Sequence, residues 1–176
     1  NGHTLKNLRI EKLNDCYVGL FCYTDKKTVI YDLVLDNPFV IGFDAVGCLV
    51  GCNEGALKNC RIDDGNIEAG GGVGGLVGRN CNYLSGNIMI APYSAIIEKC
   101  LIDGISVKGH SNVGGFAGSN FRGVLIAPDF KGNVYGSSAD SGVLIGINRE
   151  GYIINPNASG TLNGEHSRKL VGFLEK

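Results

Sequence analysis

The chain has no basic run or patch. Its 176 residues carry 16 Lys and Arg against 17 Asp and Glu, a net charge of −1, so nucleic acid and anionic membrane are poor partners. Long apolar runs are also missing. Each is short and cut by glycine, and none could cross a bilayer as a helix. Proline is scarce, at 4 residues, and no Gly-X-Y period exists, which excludes collagen in spite of 28 glycines. Hydrophobic content of 44% with 19% charged residues argues against disorder. The seven cysteines include no CxxC pair and no His partner at zinc-finger spacing, so a zinc site is not indicated. An odd count cannot pair completely within the chain. No signal peptide opens the sequence, and Asn1-Gly2-His3-Thr4 begins inside a pattern, so a fragment or processed product of a longer chain is expected.

What the chain does have is recurrence. VGGLVGRN (Val73 to Asn80) returns as VGGFAGSN (Val113 to Asn120) and VGCLVGCN (Val46 to Asn53). Weaker copies are VGLFCYTD from Val18, SGVLIGIN from Ser141 and KLVG from Lys169. The large apolar residues Phe21, Leu49, Leu76, Phe116, Leu144 and Leu170 step by 28, 27, 40, 28 and 26. The period is therefore near 27, with one interval about 13 too long. A second motif keeps the same beat: Thr4–Ile10 matches Ala56–Ile62 almost residue for residue.

Aligned on that beat, the chain forms apolar columns. The first reads Leu5, Ile30, Leu57, Ile97, Leu125, Ile153; the second Leu8, Leu33, Cys60, Cys100, Pro128, Pro156; the third Ile10, Leu35, Ile62, Ile102, Phe130, Ala158. Val40, Ile67, Val107, Val134 and Leu162 follow after a polar turn. Segments this short, rich in β-branched residues, are strands. One short strand cannot bury its face alone; stacked on its equivalents about 4.8 Å apart it can. The expected fold is all-β: a single β-solenoid over residues 1–176, a parallel β-helix of five to six coils with three short strands per coil. A sandwich of hairpins would not need fixed columns. Five and a half coils make a rod about 26 Å long. The columns leave the hand unfixed; right-handed is taken as the expectation.

The columns also assign individual residues. Cys60, Cys100 and Cys22 read as small apolar filler, with Cys22 beside Val50, Val77, Ala117, Ile145 and Val171. The disulfide state of Cys16, Cys48, Cys52 and Cys81 stays open. Glycines at 19, 47, 74, 114 and 142, and again at 51, 78, 118, 146 and 172, mark bends or close backbone approach. Asp25, Asn53, Asn80, Asn120 and Asn148 read as a corner ladder, because Asn and Asp suit tight turns.

VGGLVGRN and VGGFAGSN resemble the GLUG repeat, and Asn1-Gly2-His3-Thr4-Leu5-Lys6-Asn7-Leu8 resembles the opening that often precedes it. The resemblance covers nearly the whole chain. Departures are Cys48 for the second Gly, Tyr23 at a glycine position, and Val143. It implies export and a place at the bacterial cell surface, as in adhesin-like proteins, with flanking domains on the same chain and a host or cell-surface protein or glycan as partner. It carries no catalytic residues and no cofactor.

Three constellations could carry chemistry. Asp36, Asp63 and Asp103 share a column, so they could bind calcium or carbohydrate, or serve as acid and base for polysaccharide cleavage. Each also opens a turn, which Asp favours, and Lys131 and Ser159 continue the column without charge of that sign. His3, His110 and His166 fall in polar turn contexts with no triad motif. Gly70–Gly75 lacks the Gly-Lys-Ser/Thr ending and following helix of a phosphate loop. The long interval holds an insertion, residues 81–94, whose Tyr83, Met89 and Tyr93 are residue types enriched at interfaces. A non-catalytic surface module is the leading expectation, and a carbohydrate-active β-helix the alternative.

Overall fold

The computed structural model describes residues 2–81, 95–167 and 169–175. Those residues form an all-β solenoid of about six turns. Its strands make three sheets of eleven, six and five strands, and every pairing is parallel except the short Asn157–Leu162 with Glu165–His166. One coil runs through Ala56–Lys58, Arg61–Asp63, Asn66–Gly74 and Val77–Cys81. The middle two segments belong to the same sheet, so each coil visits all three sheets.

Register confirms the columns through the body of the rod. Val46 stands on Val73 and Val73 on Val113. Ile30, Leu57, Ile97, Leu125 and Ile153 stack in one line. Leu35, Ile62, Ile102, Phe130 and Ala158 stack in another. The inward residues form a single continuous core from Val18 to Ile145, joined by Cys48, Cys60 and Cys100. Burial of these aliphatic faces is the main stabilising term, at about 1.5–3 kcal/mol for each fully buried large side chain.

Corners turn on residues in the left-handed region. Asp32, Asn59, Lys99, Ala127 and Asn155 make one corner and Asn7, Asn37 and Asp64 another, all with φ between 48° and 55°. Asn and Asp tolerate that conformation because their side chains bond nearby backbone. Ala127 and Lys99 show that position in the stack can impose it on other residues.

The glycine columns arise from close approach. A Cβ on Gly78 would lie 2.2 Å from the carbonyl carbon of Ala45, and one on Gly47 would lie 2.5 Å from the Cα of Val77. Two backbones meet there without room for a side chain.

The first coil departs from the expected alignment twice. His3–Lys6 pairs with Leu33–Asp36, so Leu5 stands on Leu35 and not in the Ile30 column. Ile10 stands on Val40. Chain length explains the shift. Ten residues separate Ile10 from Leu20, close to the nine between Ile67 and Leu76 and short of the fourteen between Ile62 and Leu76. The strand–Asn–strand motif fits either corner, because both need a left-handed residue. The second departure is a slip of one residue: Phe21 pairs with Val50, and Leu20 packs against the core instead. Cys22 is consequently exposed and is not core filler.

Thr24, not Asp25, then tops the asparagine ladder. Thr24 Oγ1 donates to Asn53 Oδ1 (2.6 Å). Asn53 Nδ2 donates to Asn80 (2.7 Å), Asn80 to Asn120 (2.8 Å) and Asn120 to Asn148 (2.7 Å). Each amide also donates to a carbonyl: Asn53 to Gly55, Asn80 to Ala95, Asn120 to Gly123 and Asn148 to Gly151. The ladder is buried. Among the described residues no buried side-chain nitrogen or oxygen lacks a partner.

Candidate functional site

Asp36, Asp63 and Asp103 do share one column, in register on successive strands. Neighbouring strands are about 4.8 Å apart, so the carboxylates repel unless they are neutralised. A cation meets each one. Lys6 Nζ lies 3.0 Å from Asp36, Arg61 Nε 2.5 Å from Asp63, and Lys131 Nζ 3.4 Å from Asp103. Lys6 and Lys131 come from the two ends of the same column. The carboxylates are partly exposed, and exposed pairs of this kind contribute about 0–1 kcal/mol each. Their chemistry is that of a charge ladder: acceptors already engaged by donors on the same face. Among the described residues, no group of three or more His, Cys, Asp or Glu is disposed to hold a metal ion.

The outer faces carry more rungs of this type. Lys58 pairs with Glu98 (3.3 Å), Lys108 with Glu68 (3.0 Å) and Arg122 with Glu150 (2.7 Å), each on the adjacent coil. The Arg122 guanidinium holds the Glu150 carboxyl below its usual range. Hydrogen bonds from Thr28 Oγ1 and the Lys27 amide do the same to Asp25, which closes a local turn in place of a ladder rung.

The histidines are not in turns. His3 lies in the strand His3–Lys6, His110 in Leu101–Gly114 and the backbone of His166 in Glu165–His166. His110 is exposed, with Nδ1 2.8 Å from Ser137 Oγ on the next coil.

Tyr83, Met89 and Tyr93 lie outside the described residues. The residues on either side are described: Val77–Cys81 ends before them, and Asn80 Nδ2 bonds Ala95 O (3.1 Å) after them. The next coil crosses the equivalent corner in a few residues, from Asn120 to Val124.

Beside that corner lies a cluster that the sequence did not reveal. Cys52 Sγ is 3.2 Å from Cys81 Sγ, and both residues are 2% exposed. Arg79 stands in register with Cys52, bonds Asp44 and lies over the Tyr17 ring. Tyr23 also stands on Cys52 in the first coil. Desolvation, then a hydrogen bond with Glu54, pushes the Tyr23 hydroxyl up. Residues 29 apart in a 27-residue beat are diagonal neighbours, and column alignment alone does not pair them.

No family model matches the chain, and no solved structure matches it. A stretch of 122 residues, 67% of the chain, is 33% identical to halomucin of Haloquadratum walsbyi. The chain spans about 1% of the length of that protein.

Proposed function

We propose that the chain is a non-catalytic repeat module of the GLUG type, serving as a stalk or adhesive element in an exported surface protein. The observation that carries this reading is the in-register stack itself. About six coils repeat one strand pattern, and their outer faces are lined by ion-pair rungs. Such a stack sets a fixed length, about 29 Å for six coils, and offers a long side for weak multiple contacts. Likeness to part of halomucin loosely fits a surface repeat module. The partner in this reading is a host or cell-surface protein or glycan. Antibodies raised against this segment should label intact cells of the source organism without permeabilisation. Labelling only after lysis would sink the reading.

The alternative, a carbohydrate- or calcium-binding column, has one favourable observation: Asp36, Asp63 and Asp103 are in register. The stalk reading expects no rise in melting temperature with calcium or acidic polysaccharide. A rise that is lost in both Asp63→Asn and Asp103→Asn would favour the column instead.

A further inference from the structure

We propose that Cys52 and Cys81 form a disulfide that clips two successive coils together at the corner where residues 82–94 begin. The two sulfurs are 3.2 Å apart, about 1.2 Å more than an S–S bond. The backbones carrying them are already fixed. Asn53 and Asn80, each adjacent to one of the cysteines, are joined by the 2.7 Å ladder bond. Side-chain alternation then puts both sulfurs on the opposite face from the ladder. As diagonal neighbours they close the remaining gap by rotating their side chains and drawing the two strand ends together at the corner.

The other stacked pair is less suited. Cys60 and Cys100 sit directly in line, one residue before the paired Arg61 and Leu101. Their side chains bond each other. Their sulfurs are also engaged with backbone: Cys60 Sγ with Lys58 O, and Cys100 Sγ with Glu98 O and the Cys60 amide. Cys48 is wholly buried and sits in the core, and Cys16 and Cys22 are exposed in the first coil.

Electrostatics at the proposed site favours the thiolate that exchange requires. The hydrogen bond shared with Cys81 lowers the Cys52 thiol, and the Arg79 cation adds to it against the opposing effects of burial and Glu54. With a glutathione disulfide as oxidant, the Cys52 thiolate attacks one of its sulfurs and releases one glutathione thiolate. The Cys81 thiolate then attacks Cys52 Sγ and releases the second. Two protons and two electrons leave the protein, and one external disulfide becomes two thiols.

The test is a peptide map of the wild-type chain equilibrated in oxidised glutathione, alkylated in denaturant and digested. The expected result is one linked Cys52–Cys81 peptide pair, with the other five of the seven cysteines unlinked to one another, each alkylated or carrying glutathione. The melting temperature should then exceed that in dithiothreitol by about 5–10 °C. That difference should vanish in Cys52→Ser and in Cys81→Ser. A map with no Cys52–Cys81 link, or with a linked Cys60–Cys100 pair in its place, would overturn the proposal. The map is made on the wild-type chain, so it decides the question even where a Ser substitution folds poorly.

Discussion

The asparagine ladder shows how one residue type holds an inner corner without an apolar side chain. Asn53, Asn80 and Asn120 each accept from the coil on one side and donate to the coil on the other, so removing a middle rung strands partners on two coils. Asn120→Ala leaves the Asn80 donor and the Asn148 acceptor short of a bond. It should destabilise the protein by about 2–4 kcal/mol, judged from the usual cost of buried unpaired polar groups, as read by urea unfolding. Thr24→Val at the end of the ladder should cost only about 0.5–1.5 kcal/mol, because Asn53 Oδ1 still accepts from the Gly55 amide. A smaller loss for Asn120→Ala than for Thr24→Val would refute the ladder's role. Acid sensitivity belongs at this scale too. The Asp25 and Glu150 carboxyls are held below their ordinary 3.8 and 4.5. A depressed folded pKa contributes stability that is present above the unfolded value and lost as pH falls through the folded one. The melting temperature should fall as pH drops below about 4.5, and Asp25→Asn with Glu150→Gln should flatten that slope. An unchanged slope would discard these two groups as its source. The ladder was legible in sequence because Asn recurs at one phase of the beat. The Cys52–Cys81 contact was not, because a diagonal neighbour falls two residues off phase.

At the scale of the strand and corner, close packing of backbones decides what is allowed. Glycine is kept at 78 and 118 because a methyl would run into Ala45 and Val46 or Gly72 and Val73 at 2.2–2.6 Å. Gly78→Ala and Gly118→Ala should each cost about 3 kcal/mol or more. Gly164→Ala meets nothing within 4 Å and is strained only by its φ of 85°, so about 1–2 kcal/mol is expected. Urea midpoints for the three variants would check the order, and equal losses would remove the steric explanation. The repeat columns, three sheets and parallel stacking could be read from spacing, because core-facing residues are tied to one phase by burial. The first coil could not. Thr4–Ile10 carries a local motif that two corners can use, and the choice between them is made by the chain length left before Leu20. Phe21, Cys22 and Asp25 were misplaced by a single residue for a related reason: one residue fewer crosses that corner, and a period-two strand then turns every following side chain over. The aspartate column was legible as a column; the neutralisation of Asp36 by Lys6 was not, because the Thr4–Ile10 motif fits either corner.

For the whole molecule, stability is a sum over stacked neighbours. Middle coils bury both faces, and Val46, Leu76 and Phe116 are fully enclosed. The first coil exposes Leu13, Tyr17, Phe21 and Tyr23, and the last exposes Tyr152, Ile154, Phe173 and Leu174. Amide exchange should therefore be slowest in Val46–Asn53, Val73–Asn80 and Val113–Asn120 and should quicken toward both ends. Uniform protection would indicate that the coils unfold as one unit. Every functional statement rests on parallel, in-register coils, and nuclear Overhauser contacts test that most directly. The stack requires cross-strand contacts between Val46 and Val73, 27 residues apart, and between Val73 and Val113, 40 apart, with Asn80 side-chain amide contacts to Asn120. Close Hα–Hα contacts between chain-adjacent strands, the mark of antiparallel hairpins, in place of those long offsets would contradict the solenoid.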